Sequence, residues 1–285
     1  MLDRITRSIT SRVLPRTNSS PVVIAVSSPY GSTGKTTVAI NIALELAAEK
    51  AKVLLIDGDI QGPAVANHFV LNEQPAGLQA ALRIASQQRF DIEQLERLSF
   101  RFQKSTLRIM PGSQNFPSKP IDKGTVANLL DTARMGYEFT VIDLGSLSPN
   151  TNGVQQELTD TIVSLADRTI LVCLADPIGI FRMLNIENIT SGASQQPVLV
   201  MNRVRNSVIP SARREIAITL QRLSAMEPKA YLPDDPQHID QALRQGVPAT
   251  SLSRTGTFRQ ALAGFVRAEL LGRKGPLDYR VAKLG

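Results

Sequence analysis

The sequence predicts a single α/β domain built on a mostly parallel β-sheet with helices on both faces. Short apolar runs alternate with segments of helical periodicity, which is typical of parallel strands joined by helical crossovers. The clearest case is residues 22–37, where a β-branched run passes through a turn of small residues into Gly-Lys-Thr-Thr and a helical pattern. With 285 residues, 42% of them hydrophobic, the chain is long enough to bury a sizeable core.

The order of these runs gives the predicted elements. Strands are predicted at residues 22–26, 53–56, 107–110, 139–142, 169–174, 197–201 and 230–232. Helices are predicted at residues 36–49, 78–85, 121–135, 154–166, 178–189, 211–223, 239–245 and 257–271. Because Asn18-Ser19-Ser20-Pro21 is typical of a linker, we divide the chain into an N-terminal segment (1–20), an α/β domain (21–272) and a C-terminal tail (273–285).

The positive charge of the chain is concentrated at its ends. Of the formal net charge of +7, residues 1–20 give +3 from four arginines and one aspartate, and residues 256–285 give +4 from six basic and two acidic residues. This distribution favours an anionic partner that meets the ends of the chain. Apolar residues of the N-terminal segment recur at helical spacing, at Leu2, Ile5, Ile9 and Val13.

Two interpretations of residues 1–16 stay open. The segment lies on an anionic membrane surface as an amphipathic helix, or it packs on its own domain or frays in solution. No apolar stretch reaches about 18 residues, and no secretory signal is evident. Cys173, the one cysteine, has no partner for an intrachain disulfide, so we expect a buried strand residue and a cytoplasmic protein, peripheral to the inner face of the membrane if the segment binds lipid.

The turn after the first predicted strand is typical of a phosphate-binding loop. Backbone N–H groups of such a loop and of the first helical turn point into one concavity, where phosphate oxygens accept their hydrogen bonds. Lys35 is expected to reach the β- and γ-phosphates, and the Thr36 hydroxyl is expected to bind Mg²⁺. Pro29 stands where the general pattern has glycine, so the entry of the loop must differ. The alternative is a plain strand-to-helix turn.

Carboxylates follow two other predicted strands at the positions where ligands of such sheets bind. Asp57 and Asp59 follow the second strand, and Asp143 ends the strand predicted at 139–142. Nucleotide hydrolysis needs carboxylates near the γ-phosphate, for Mg²⁺ and for the attacking water. For either site alone, the alternative is a helix N-cap or a turn residue.

Together these motifs resemble the MinD/ParA family of P-loop ATPases over residues 21–272. The motifs that carry the resemblance are Gly34-Lys35-Thr36-Thr37, Leu-Ile-Asp57-Gly-Asp59, Val-Ile-Asp143, Ala166-Asp167-Arg168, Val-Met-Asn202-Arg203, Leu232-Pro233-Asp234 and Gln245-Gly246-Val247-Pro248. Three segments resemble the CpaE/TadZ branch in particular, which positions Flp-type pilus machinery: the stretch from Asp59 to Asn67, Gly77-Leu78 and residues 107–112.

The resemblance implies ATP and Mg²⁺ as cofactors and assigns roles to residues. The residues implied to hold the triphosphate are Gly31, Ser32, Thr33, Gly34, Lys35, Thr36 and Thr37. Thr36 is implied to bind Mg²⁺ directly and Asp143 through water, while Asp59 orients or activates the attacking water. Asn202 is implied to read the adenine edge, with Pro233 and Asp234 lining the base pocket. ATP is expected to produce a homodimer that binds a partner complex, such as pilus, secretion or cell-pole machinery.

Tyr30 departs from the family pattern. Most members carry a lysine at this position, which reaches across the dimer to the phosphates of the partner. A trans-acting cation of this kind contributes roughly 10³–10⁵ in rate in related phosphoryl-transfer enzymes. We therefore expect ATP binding with slow or negligible hydrolysis.

Three other classes of the same superfamily fit the sequence less well. Bacterial tyrosine kinases share the residues around Asp57 but have arginine at the position of Gln61 and end in a tyrosine cluster, where this chain has only Tyr279. A ParA-type nonspecific DNA binder rests only on the basic ends, which makes DNA the less favoured partner. Iron–sulfur carriers use paired cysteines, so the single cysteine predicts no role in cluster transfer.

Overall fold

The computed structural model describes residues 20–69, 77–113, 116, 120–147, 153–184, 196–224, 226–253 and 255–273. The strands are β1 (Val22–Ser28), β2 (Val53–Gly58), β3 (Phe100–Arg101), β4 (Leu107–Met110), β5 (Phe139–Ser146), β6 (Arg168–Leu174), β7 (Val198–Val204) and β8 (Pro228–Pro233). The helices are α1 (Lys35–Ala48), α2 (Gly77–Ala85), α3 (Ile92–Arg97), α4 (Lys123–Gly136), α5 (Val154–Leu165), α6 (Pro177–Leu184), α7 (Ala212–Leu223), α8 (Pro236–Gln245), α9 (Ala249–Leu252) and α10 (Thr257–Phe265).

The described strands form one sheet in the order β3-β4-β2-β5-β1-β6-β7-β8. Every neighbouring pair is parallel except β3 and β4, which are antiparallel at one edge. The sequence connections between parallel neighbours pass through helices, as the fold class requires. The predicted single α/β domain with a mostly parallel, helix-covered sheet is thus confirmed.

Alternate side chains of the central strands enter two different cores. In β1, Val23 and Ala25 pack in the core that includes α2, α4, α5 and α7, while Ile24 and Val26 pack against α1 and α10 on the other face. All four are fully buried. A strand covered on both faces needs apolar residues at consecutive positions rather than in alternation, which explains the continuous apolar runs of the sequence.

The structure adds elements that the sequence pattern did not predict and shifts some ends. The short helix α3 begins with a capping box formed by Asp91 and Gln94, and the two-residue strand β3 pairs with β4. The helix predicted at 257–271 is α10 followed by a π-helical turn, Val266–Leu270. The helix predicted at 178–189 is described as far as Leu184, and the rest of that range lies outside the described residues.

The ends of the chain fall largely outside this description. Residues 1–19 and 274–285 contain nearly all of the predicted N-terminal segment and C-terminal tail, and they lie outside the described residues. The three-part division of the chain therefore stays a prediction. In the ranges that are described, no helix combines the length and the apolarity that a membrane crossing requires.

A largely buried ion pair joins α1 to α10 beneath the sheet. Arg259 Nε lies 2.7 Å from Glu45 Oε1, and the two side chains are 20% and 8% exposed. Arg259 Nη1 also donates to the Ser253 carbonyl oxygen at 3.1 Å. Because α1 starts at the predicted phosphate loop, this pair helps to fix the helix on which the loop is mounted.

We expect Arg259→Met to lower the free energy of unfolding by about 2–4 kcal/mol, because the Glu45 carboxylate stays buried without its partner. The double variant Glu45→Met with Arg259→Met should recover most of this loss, because no charge is then left unpaired. Urea unfolding followed by circular dichroism measures both. Equal losses in the single and double variants would contradict this account of the ion pair.

Candidate phosphate and metal site

The predicted site residues lie along one edge of the sheet. The loop of residues 29–34 leaves the carboxyl end of the central strand β1, and Asp59 follows β2. Asp143 lies in the carboxyl-terminal half of β5, and Asn202 lies in that of β7. In open α/β sheets, ligands bind outside the carboxyl ends of the strands, so the topology brings these residues to a single crevice.

The backbone of the loop has a conformation that requires glycine at position 34. Gly34 has φ +87°, and a Cβ atom there would lie 2.6 Å from Asn202 Nδ2. Asn202 Nδ2 donates to the Thr33 carbonyl oxygen at 2.8 Å, so β7 holds the loop from the side. The loop then runs directly into α1, whose first residue is Lys35. The free N–H groups of this helix end and the positive end of its dipole favour an anion.

Two buried carboxyl groups lie side by side on neighbouring strands. Asp57 and Asp143 are paired in the parallel register of β2 and β5, and both are fully buried. Burial raises the pKa of Asp143 to about 7 and that of Asp57 to about 6, and their mutual repulsion adds to the shift of Asp143. The Val65 N–H donates to Asp57 Oδ2 at 3.0 Å. Within the described residues, Asp57 Oδ1 and both carboxylate oxygens of Asp143 have no hydrogen-bond partner.

Lys35 is the cation that faces these carboxyl groups. Burial lowers its pKa, but the charges of Asp143 and Asp59 outweigh that effect, so the pKa of Lys35 lies above its usual value. Lys35 Nζ lies 2.8 Å from Asp59 Oδ2, and Asp59 Oδ1 accepts a hydrogen bond from the Gly62 N–H at 3.1 Å. Asp59 is therefore engaged by the same amine that is predicted to bind phosphate, and a phosphate must compete with it.

The environment of Asp143 fits a hard divalent cation. The Thr36 hydroxyl is close enough to lower the pKa of Asp143, although neither carboxylate oxygen has a hydrogen bond of ordinary geometry. Buried oxygens without partners are the groups that Mg²⁺ would satisfy. Among the described residues, no cluster of three or more His, Cys, Asp or Glu side chains could hold a metal by itself. The remaining ligands would come from phosphate oxygens and water, as is usual for Mg²⁺.

The residues predicted to surround the base lie farther along the same edge. Pro233 ends β8 and is paired with Val204 in the sheet. The Asp234 N–H donates to the Val204 carbonyl oxygen at 3.2 Å, and Asp234 Oδ2 lies 3.7 Å from Arg205 Nε. Since Asn202 uses its amide nitrogen to hold the phosphate loop, its predicted contact with adenine would depend on the amide oxygen. The base contacts of all three residues stay predictions.

One site residue was missed by sequence reasoning. Gln155 in α5 is only 2% exposed, and its Nε2 donates to the Gly58 carbonyl oxygen at 3.3 Å. Its Oε1 accepts a hydrogen bond from the Gln61 N–H, also at 3.3 Å. Gln155 therefore holds the backbone on both sides of Asp59. A glutamine within an amphipathic helix carries no sequence signal for such a contact.

The fold and the loop together define a P-loop NTPase. A sequence profile described as "ParA: NUBPL iron-transfer P-loop NTPase" matches residues 20–173, more than half of the chain. The chain belongs to the ParA/MinD family of P-loop NTPases.

The chain is also similar to several known proteins in sequence or in structure. An iron–sulfur cluster carrier protein from Aquifex aeolicus is 30% identical over 177 residues, which are 58% of this chain and 44% of that protein. The chain spans less than half the length of the curated relatives that it matches. The structure of a MinC:MinD cell division protein complex from Aquifex aeolicus matches with a TM-score of 0.71 at 22% identity, covering 90% of this chain and 98% of that one.

A second solved structure contains a bound nucleotide. The septum site-determining protein MinD from Pyrococcus horikoshii OT3, complexed with Mg-ADP, matches with a TM-score of 0.66 at 19% identity, over 88% of this chain and 98% of that chain. At this level of identity the likeness concerns the fold.

Because the Asp143 carboxyl group is buried, we expect the free energy of unfolding of the ligand-free protein to depend on pH. Between its ordinary pKa of 3.8 and about 7, the folded protein keeps a proton that the unfolded chain has lost, so this contribution favours folding at acidic pH and is lost as the pH rises through about 7. We expect Asp143→Asn to exceed the wild type in stability by about 1–3 kcal/mol at alkaline pH and to show a smaller difference near pH 5.

Urea unfolding at about pH 5 and about pH 8 measures this difference. The exposed Asp240 provides a matched control, since Asp240→Asn removes a carboxylate without a buried environment. A stability difference between Asp143→Asn and the wild type that does not grow with pH would show that Asp143 is not held protonated by burial.

Proposed function

We propose that this protein is a Mg-ATP-binding switch that dimerises in its ATP form and hydrolyses ATP slowly. One observation carries the proposal. At the start of α1, the charged Lys35 amine lies beside Asp59 and near Asp143, whose buried carboxylate oxygens have no hydrogen-bond partner in the described chain. A cation, free oxygen ligands and a helix N-terminus together suit a magnesium-bound phosphate chain.

In this proposal, the loop binds the triphosphate through backbone N–H groups of residues 31–37. The Lys35 amine exchanges Asp59 for the β- and γ-phosphates. Thr36 and Asp143 are the residues that would hold Mg²⁺, which neutralises phosphate charge when bound. Asn202, Pro233 and Asp234 would surround the adenine base.

Once Lys35 is engaged by phosphate, the Asp59 carboxylate is free to act on water. Asp59 would orient a water molecule and accept its proton while the water oxygen bonds to the γ-phosphorus and the bond to ADP breaks. The products are ADP and phosphate. Turnover is expected to be slow, because loop position 30 carries a tyrosine rather than a cation that could stabilise the charge of the transition state.

The proposed output is a changed protein interface. An ATP-bound homodimer would recruit or place a partner complex, and the CpaE/TadZ-like motifs favour pilus, secretion or cell-pole machinery. Residues 1–16 would add contact with an anionic membrane surface from the cytoplasmic side, with two copies binding more firmly than one. Support for a partner comes from the MinC:MinD complex, in which a protein of the same fold is assembled with another protein.

Iron–sulfur cluster transfer is a second candidate, because the curated relatives carry that name. The residues of this chain argue against it. Cys173 is the one cysteine of the sequence, and it is fully buried in β6. Burial also raises the pKa of its thiol, which disfavours the thiolate that iron requires. Anaerobic incubation with iron and sulfide, followed by iron analysis, tests this candidate, and about one or more bound clusters per dimer would support it.

Light scattering tests the proposed switch directly. We expect the solution mass to double with Mg-ATP, relative to Mg-ADP or no nucleotide, and phosphate release to stay well below about 1 s⁻¹ without a partner. Lys35→Ala should abolish the change in mass, because the phosphates lose their cation. Lys104→Ala is the matched control. Lys104 is exposed in the turn that precedes β4, at the amino ends of the parallel strands and away from the candidate site at their carboxyl ends.

The wild-type protein decides between the outcomes. A mass that does not respond to Mg-ATP would contradict the ATP-gated dimer, and turnover of about 1 s⁻¹ or faster would contradict slow hydrolysis. Bound ATP without a change in mass would indicate a nucleotide-stabilised scaffold.

A further inference from the structure

The Tyr30 side chain occupies a fitted slot within its own chain. Its hydroxyl oxygen accepts a hydrogen bond from the Leu174 N–H, with 3.4 Å between the oxygen and the nitrogen. A Cβ atom at Gly179 would lie 2.5 Å from the same oxygen, so the slot exists because α6 has glycine at that position. The Tyr30 carbonyl oxygen accepts a hydrogen bond from the Ser28 hydroxyl at 2.6 Å. The entry of the phosphate loop is therefore tied to the end of β6 and to the start of α6.

The ring of Tyr30 carries an exposed cation. The Arg182 guanidinium carbon lies 4.8 Å from the ring centroid, which is the geometry of a cation–π contact. Arg182 follows Gly179 by three residues, so the helix places it on the same side as the slot. None of the ion pairs found among the described residues involves Arg182. Among the described residues, no carboxylate is therefore paired with its guanidinium group, which contacts the Tyr30 ring.

Asp176, the carboxylate that acts on the Tyr30 hydroxyl, has another role. Asp176 Oδ1 accepts a hydrogen bond from the Gly179 N–H at 2.6 Å, so this carboxylate caps the first turn of α6. Asp176 and Arg182 influence the Tyr30 hydroxyl in opposite directions, and burial exceeds both in raising the pKa of Tyr30 to about 12. The tyrosine stays a neutral platform at physiological pH.

The candidate phosphate site has less positive charge than a bound triphosphate needs. Its one lysine, Lys35, already faces Asp59 as well as the buried carboxyl groups. A triphosphate carries more negative charge than Lys35 and one divalent cation neutralise. The Arg182 guanidinium carbon lies 4.8 Å from the ring of Tyr30, which directly precedes the loop residues proposed to bind phosphate. Charges separated by less than the screening length, about 8 Å in physiological salt, still interact.

We propose that Arg182 is an additional phosphate-binding residue, which supplies positive charge to the bound nucleotide from α6, and that Tyr30 is the positioning residue that holds its guanidinium beside the loop. The inference rests on the proposed ATP-binding function and deepens it. In this arrangement, Arg182 adds positive charge for nucleotide binding within its own chain. A cation that reaches from loop position 30 across the dimer is still missing, so hydrolysis is still expected to be slow. The terminal phosphate, which carries the additional charge of ATP over ADP, gains the most.

Nucleotide affinity, measured with Mg-ATP and Mg-ADP by isothermal titration calorimetry, tests the assignment. We expect Arg182→Ala to weaken Mg-ATP binding by about 3- to 10-fold, to weaken Mg-ADP binding less, and to flatten the salt dependence of ATP affinity. Arg182→Lys should retain part of the affinity, because it keeps the charge but stacks less well on the ring. Tyr30→Phe should stay near the wild type, whereas Tyr30→Ala should resemble Arg182→Ala.

Arg97 offers the matched control, because it is an exposed helical arginine paired with Glu93 on α3. Arg97→Ala should leave the affinity and the ATP-to-ADP ratio unchanged. If the wild type binds Mg-ATP and Arg182→Ala binds it as tightly as Arg97→Ala does, the role of Arg182 is wrong while the proposed function stands. If the wild type itself does not bind Mg-ATP, the proposed function fails. Normal ATP affinity with loss of the ATP-dependent dimer in Arg182→Ala would also overturn the assignment, because the arginine would then serve the interface.

Discussion

The whole site depends on a single cation among three carboxyl groups. Lys35 lies beside Asp59 and near Asp57 and Asp143, two of which are fully buried. Such a cluster is electrostatically unfavourable without a ligand. The stability of the sheet compensates for this, because the register of β2 and β5 places Asp57 and Asp143 side by side. The core on both faces of the sheet holds these carboxyl groups close together. On a solvent-exposed loop, the same groups would move apart.

Much of the fold and part of the site could be predicted from the sequence, because both arise from local patterns. The β1 run, the glycine-rich turn and the start of α1 are contiguous, and Asp57, Asp59 and Asp143 follow apolar strands whose parallel order brings them to one edge. The loop itself was therefore visible before any tertiary contact was known.

The remaining contacts join residues that are far apart in the chain. Thr33 and Asn202 are separated by 169 positions, Gly58 and Gln155 by 97, and Tyr30 and Leu174 by 144. No local periodicity encodes such pairs, because each depends on how strands and helices are placed in three dimensions. Short elements were missed for a related reason, since the two-residue strand β3 exists only through its pairing with β4.

The site residues in the two halves of the chain are assigned from different observations. The family profile covers residues 20–173, which include the phosphate loop and all three aspartates. Asn202, Pro233 and Asp234 lie beyond it, and there the likeness to solved structures, which extends over about nine-tenths of the chain, indicates the same fold. The assignment of the phosphate-binding residues thus rests on sequence similarity, and the assignment of the base-binding residues rests on similarity of fold.

Gln155 connects a helix that is partly open to solvent with the segment that carries Asp59. It bonds to the backbone before and after Asp59, while the same helix carries Glu157 and Asp160 on its solvent-facing surface. Two hydrogen bonds thus connect α5 to the segment that carries Asp59. The position of the Asp59 carboxylate is therefore tied to the position of a helix whose opposite face is open to solvent.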